Sequence, residues 1–173
     1  MPIRRNDEPV EFQVNPFTVV VDSREQAPFG FRNLTSDVGD GKRPLVVSTE
    51  KQGLKTGDYS IAGYEDQIAI ERKSLSDFLG CCGNDRKRFQ KQLERLNEIK
   101  VAYVVVEAGW PSILAGHEHS RLNPKTVFRS VLAWQQRLPG IHWMMCSTRS
   151  LAEVATFRIL ERFWKDLDRD GDA

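Results

Sequence analysis

An α/β fold in one domain, a sheet with helices packed against it, is the class that this 173-residue sequence predicts. Two observations carry that expectation. Short apolar runs rich in β-branched residues recur along the chain, from Phe17-Thr18-Val19-Val20-Val21 to Val101-Ala102-Tyr103-Val104-Val105-Val106. Beside the later runs lie segments whose apolar residues return every three or four positions. Strands therefore cluster early and alternate with helices later, and no repeat or linker divides the chain. Hydrophobic residues at 40% and charged residues at 28% are ordinary for a globular protein. No apolar run approaches the length that spans a membrane. The segment Met1 to Glu8 lacks the apolar stretch of a signal peptide. Cys81, Cys82 and Cys146 have no metal-binding spacing and cannot all pair within one chain, so a reducing, intracellular setting is expected.

Residues 1–11 are polar and expected to be poorly ordered, the domain occupies 12–167, and 168–173 is an acidic tail. Phe17–Val21, closed by Asp22, reads as a buried strand. The turn-rich stretch from Gly30 to Arg43 is a loop, and Leu45–Thr49 is a second strand. Tyr59-Ser60-Ile61, a turn at Gly63 and Ile68-Ala69-Ile70-Glu71 make a hairpin. Ser74 with Asp77 is a capping pattern that opens a short helix through Leu79. Asn84 is placed to cap a longer helix bearing Phe89, Leu93, Leu96 and Ile99 on one stripe. Val101–Val106 is the clearest buried strand. After it only two further helices stand out. One starts at Asn123-Pro124 with Val127, Val131, Trp134 and Leu138 on a stripe, and is stopped by Pro139-Gly140. The other is capped by Ser150 and Glu153, with Val154, Phe157, Leu160, Trp164 and Leu167 on one face. Ile141–Met145 between them is a last strand.

The strand ending Ile68-Ala69-Ile70 runs straight into Glu71-Arg72-Lys73, which is unusual for a segment entering a core. Alternation along a strand sends Glu71 and Lys73 to one face and Arg72 to the other. Asp58 lies twelve intervening residues before Glu71, about what a hairpin needs to bring two strand ends together. Asp22, closing the first strand, can join them. Three carboxylates converging at strand ends repel one another unless a cation sits among them, and a hard oxygen-ligated ion, Mg²⁺ or Mn²⁺, resolves the repulsion. A lysine beside such an ion can orient or deprotonate a water and balance developing negative charge. That combination suits metal-assisted hydrolysis of a phosphodiester. For a lone Glu-X-Lys, exposed ion pairs on a surface hairpin are the better reading. Here the ordering of strand, Gly-Asp, spaced strand, Glu-X-Lys and capped helix favours a site.

These residues also resemble a known family. Val21-Asp22-Ser23-Arg24-Glu25, Gly57-Asp58-Tyr59, Glu71-Arg72-Lys73-Ser74-Leu75-Ser76-Asp77 and Arg88-Phe89 with Gln92 look like the XPF-type nuclease domain of the restriction-endonuclease-like PD-(D/E)XK folds. The resemblance implies a mixed central sheet flanked by helices, and a DNA endonuclease dependent on Mg²⁺ or Mn²⁺. It implies Asp22, Asp58 and Glu71 as metal ligands and, with Lys73 serving the attacking water, as the catalytic set. Arg24, Glu25, Arg72 and Arg88 take supporting roles near phosphate or in fixing the carboxylates, and Asp77 is either a supporting residue or simply a helix cap. It further implies branched or junction-containing DNA as partner, and a homodimer formed through the later helices with Trp134 or Trp164. Family members that cut branched DNA usually carry a helix-hairpin-helix domain after this one, and none is evident here.

Asn84 to Lys100 is locally basic in a chain of net charge +1, and Arg86, Lys87, Arg88 and Lys91 are its candidate phosphate contacts. A silent DNA-binding or dimerisation module, of the kind that partners active nucleases, is the main alternative function. All four catalytic positions being filled argues for an enzyme. A sequence-specific restriction-type nuclease ranks last, since no base-reading motif is visible. Other signals carry less. Asp166-X-Asp168-X-Asp170-Gly171 imitates a calcium loop but lacks its closing glutamate. His117-Glu118-His119 reads as a solvated loop, and Gly39-Asp40-Gly41-Lys42 lacks the rest of a phosphate loop. Cys81-Cys82 reads as a helix-end packing pair, and the tryptophans read as core residues apart from Trp110 beside Pro111.

Overall fold

The computed structural model describes residues 11–36, 43–116 and 122–171. One six-stranded sheet organises them, in the order β2-β1-β3-β4-β5-β6. Its strands are β1 (Gln13–Asp22), β2 (Leu45–Gln52), β3 (Tyr59–Ile61), β4 (Ile68–Lys73), β5 (Val101–Val106) and β6 (Ile141–Met145). β1 pairs parallel with β2, and β4, β5 and β6 pair parallel with one another. β3 is antiparallel to both β1 and β4. Every strand but β3 therefore runs the same way, and the C-terminal ends of β1 and β4 come out at the same edge of the sheet. The expected mixed α/β architecture is the observed one.

The central strands are buried because both sheet faces are covered. Val19 and Val21 of β1, Ile68 and Ile70 of β4 and Val105 of β5 enter one core, closed by Phe29 and Phe31 and by α5 (Arg149–Gly171) through Phe157 and Leu160. Ala69 of β4 and Ala102, Val104 and Val106 of β5 face the opposite core. That core is roofed by α1 (Leu75–Cys82), α2 (Arg86–Leu96), α3 (Trp110–Ala115) and α4 (Pro124–Arg137). Alternation from Ala69 puts Glu71 and Lys73 under the α1–α2 side, and from Ile70 puts Arg72 on the α5 side. The charged strand end thus keeps the register of the core that precedes it.

Several local expectations change. α3 lacked a periodic signature because it is six residues long and buries only Ile113. Asn84 does not cap α2. The amide of Asp85 is drawn back to Gly80 O at the end of α1, so Asp85 takes the capping place and makes no side-chain cap bond. α5 begins before Ser150, with Thr148 Oγ1 accepting from the Leu151 amide, and Glu153 accepts the Phe31 amide instead of closing a box. Val154, expected on the apolar stripe of α5, is exposed. Asn123 and Ser74 cap their helices as the sequence predicts. Cys81 and Cys82 are buried free thiols at the end of α1. α5 continues through Asp166 to Gly171, so the calcium-loop imitation is helix. Residues 1–10, Gly39–Lys42 and His117–His119 lie outside the described residues. Among the described residues no helix is long and apolar enough to cross a membrane.

Candidate active site

A polar cleft of about 680 Å³ opens at the ends of β1 and β4 and is lined by Asp22, Arg24, Glu25, Lys55, Asp58, Glu71, Arg72, Lys73, Asp77, Arg88, Gln92 and Arg95 among others. Asp58 is placed there by backbone bonds on both sides: its carbonyl accepts from the Asp22 amide at 2.8 Å and its amide donates to Ile70 O at 2.7 Å. Gly57 makes this possible. It sits at φ +78°, and a Cβ there would lie 3.1 Å from Ala69 Cβ and 3.2 Å from Ile70 O. The hairpin between Asp58 and Glu71 therefore forms as expected and ties both residues to the end of β1.

Glu71 is 1% exposed. Its Oε1 accepts from Lys73 Nζ, while Oε2 is buried with no hydrogen-bond partner among the described residues. Asp58 Oδ2 accepts from the Arg72 amide at 2.7 Å. Burial, and then the charge of Glu71, push the Asp58 carboxyl up to about 7, against the pull of Lys73. Burial opposes the Lys73 ammonium too, but Glu71 and Asp58 outweigh it and raise its pKa above the ordinary lysine value. Lys73 Nζ also lies 5.6 Å from the centre of the Phe89 ring. Lys73 is thus an ammonium near neutral pH, suited to donating hydrogen bonds and balancing charge rather than taking a proton.

Asp22 behaves differently. Arg24 donates to it from its amide, Nε and Nη2, and Leu54 from its amide, all within 2.7–2.8 Å. The bond from the Arg24 side chain is the largest cause holding its carboxyl down to about 2. Among the described residues no three His, Cys, Asp or Glu side chains stand together as a ready cation site. The donor set nonetheless fits a hard divalent ion at two of the three expected ligands. Among the described residues Glu71 Oε2 lacks a partner, and Asp58 is held up by burial and by the charge of Glu71.

On the other sheet face Arg72 donates to Glu107 at 2.7 Å and to Glu25 at 3.2 Å. Arg149, at the start of α5, donates to the same Glu107 oxygen at 2.7 Å and to Ala27 O at 2.6 Å. Arg72 and Arg149 both lie over the Phe29 ring. Glu107 and Arg149 escape sequence reasoning because each stands far along the chain from Arg72. Asp77 lines the cleft while its carboxylate accepts from Ser74 Oγ, so the partner of the Ser74 cap is also part of the cleft wall. Arg88 lines the cleft. Arg86 instead donates to Ser130 Oγ and stacks on Trp134, and neither Lys87 nor Lys91 reaches the lining. Arg95 and Lys55 do, and both are exposed. Arg95 could have been found from its spacing, seven residues after Arg88 on the same helix face.

The mixed six-stranded sheet flanked by helices is the fold of the XPF nuclease domain. The chain belongs to the ERCC4 domain family, whose pattern it matches over residues 21–157. Its structure is similar to XPF from Aeropyrum pernix, with a TM-score of 0.59 and 23% identity over 83% of this chain and 60% of that one. Against XPF from Aeropyrum pernix in complex with DNA the TM-score is 0.61 and the identity 22%, over 87% of this chain and 66% of that one. The chain thus spans about 60–66% of the solved chains it resembles. Among curated proteins none matches it significantly.

Proposed function

We propose that this domain is a metal-dependent endonuclease that hydrolyses DNA phosphodiester bonds at branched or single-strand/double-strand junctions, in repair, recombination or replication. The observation that carries the reading is the unpartnered, buried Glu71 Oε2 beside Asp58 and Lys73 in a cleft walled by cations. Asp58 and Glu71 would hold Mg²⁺ or Mn²⁺, and Asp22 would complete the set. The ion supplies Lewis-acid polarisation of the phosphodiester and a more acidic water. Lys73, fixed by Glu71 and Phe89, orients the attacking water and offsets charge growing on the phosphoryl oxygens. Arg88, Arg95 and Lys55 hold phosphates of the strand, which positions it without reading its bases. Arg72, held by Glu25 and Glu107, keeps the backbone amide that bonds Asp58 in place.

Self-association belongs to the same reading. Trp134 is 1% exposed and Trp164 packs against Phe17 and Tyr64, so neither is an interface anchor. The candidate surfaces are the outer sides of α4, with Phe128 and Leu132, and of α5, with Leu151 and Val154. Analytical ultracentrifugation tests it, and a monomer at micromolar concentration would remove it.

The deciding experiment is cleavage of matched single-stranded, duplex, flap, fork and nicked DNA with Mg²⁺, Mn²⁺ or EDTA. Metal-dependent cutting that is lost in Asp58→Asn and Lys73→Ala, with DNA binding retained, is the expected result. DNA binding without cutting by the wild type under any metal would replace the nuclease with a silent binding module.

A further inference from the structure

Asp22 and Arg24 hold each other in a way that the assignment of Asp22 as a ligand does not explain. A carboxylate offers about four acceptor positions. All four are filled here: Oδ1 accepts from the Arg24 amide and Nε, Oδ2 from Arg24 Nη2 and the Leu54 amide. Two of these bonds come from the Arg24 side chain, whose Nη2 also donates to Leu54 O at 2.6 Å. The pair is lopsided, because the Arg24 side chain is 71% exposed and that of Asp22 only 2%. Arg24 can swing into solvent without disturbing the core, whereas Asp22 at the end of β1 cannot move. Both residues line the cleft that holds Asp58 and Glu71.

We propose that Arg24 is a latch on Asp22: it withholds the third carboxylate from a divalent cation until a DNA phosphate in the cleft draws the guanidinium away. This rests on the reading of the cleft as a cation and phosphodiester site. A guanidinium pairs with phosphate in the same two-pronged geometry as with carboxylate, so the exchange trades one charge-assisted pair for another. Release frees one acceptor position on each oxygen of Asp22, while the amides of Arg24 and Leu54 keep the carboxylate oriented. Arg24 is then a positioning residue that couples substrate to ion. By linkage, phosphate and cation each tighten the binding of the other by the same factor.

Titration with Mn²⁺, followed by the electron paramagnetic resonance of the free ion, tests this without reference to cleavage. Arg24→Ala and the charge-preserving Arg24→Lys are both expected to bind Mn²⁺ about tenfold more tightly than wild type, the scale of losing a charge-assisted pair. The gain should vanish when Asp22→Asn is present in both members of the comparison. A short oligothymidylate should then raise the Mn²⁺ affinity of wild type more than that of Arg24→Lys. If Arg24→Ala gains but Arg24→Lys does not, simple charge repulsion accounts for the effect and the latch is wrong. A gain that survives Asp22→Asn, or equal enhancement by oligothymidylate in both proteins, would likewise overturn it. Mn²⁺ binding to none of the proteins would fail the cation site itself, a result distinct from wild type binding as tightly as Arg24→Ala. Circular dichroism confirms that each variant is folded, the Arg24 and Leu54 amides remaining as donors to Asp22 when the Arg24 side chain is replaced.

Discussion

Asp58 keeps its proton to about pH 7 because the fold buries it beside Glu71. In the unfolded chain the same carboxyl ionises at its ordinary value of 3.8. Between these values the folded state holds more protons than the unfolded one, so this residue lowers stability as pH rises from about 4 to about 7. Without divalent ions, Asp58→Asn should therefore melt close to wild type near pH 4 and increasingly above it as pH approaches 7, with a plateau beyond. A melting difference that is constant across that range would contradict the burial of this charge. Asp22 works with the opposite sign: its lowered pKa adds stability above about pH 4 that is lost as pH falls toward 2. On the proposed assignment of Asp58 as a ligand, its proton would have to leave before a cation binds. Mn²⁺ affinity should consequently fall about tenfold per pH unit below 7, which the same resonance titration measures at several pH values.

At the scale of elements, the site depends on how β3 enters between β1 and β4. Gly57 allows that entry, and Gly57→Ala combines a left-handed backbone with a Cβ pressed against Ala69 and the Ile70 backbone. We expect a loss of about 1–3 kcal/mol of stability by urea denaturation. The loss of cleavage should exceed what unfolding explains, because Asp58 moves with Gly57. α2 makes a second test. Arg88, Gln92 and Arg95 share its cleft face, whereas Lys87 and Lys91 are exposed elsewhere on it. Replacing Arg88, Arg95 or Lys55 by Ala should each lower the salt slope of DNA binding by about 1, while Lys87→Ala and Lys91→Ala leave it nearly unchanged. Equal effects from all five would mean that the whole basic segment, and not the cleft, attracts DNA.

At the scale of the molecule, Glu107 joins parts of the chain that lie far apart in the sequence. It follows β5, accepts from Arg72 of β4 and from Arg149 of α5, and through Arg72 reaches Glu25 after β1. Arg72 is 9% exposed, so removing its main acceptor strands a charge that water cannot reach freely. Glu107→Ala should cost about 2–4 kcal/mol in chemical denaturation, and much more than Arg149→Ala, whose side chain is 44% exposed. The two cores depend on long-range packing in the same way. Trp134 stacks on Trp143 and meets Phe89 edge-on, joining α4, β6 and α2.

By itself the sequence determined the strands, the long helices and the gathering of Asp22, Asp58, Glu71 and Lys73. Those features rest on neighbours along the chain: period-two and period-3.6 burial, a Gly-Asp turn, and alternation that separates Arg72 from Glu71 and Lys73. The caps at Asn123 and Ser74 were legible for the same reason, since their bonds close within three residues. Short or context-dependent features were not. α3 is too brief to show a period, the start of α2 was decided by a bond back to Gly80 of α1, and at α5 the Phe31 amide drew Glu153 away while Thr148 supplied the cap. Only the tertiary structure showed that Arg86 turns to Ser130 and Trp134 while Arg95 and Lys55 wall the cleft. It alone joined Glu107 and Arg149 to Arg72, and it alone brought the Leu54 backbone to Asp22 and Arg24. The reason is physical: which partner satisfies a buried charge depends on distance in space, and residues remote in the chain become neighbours only when both faces of the sheet are packed.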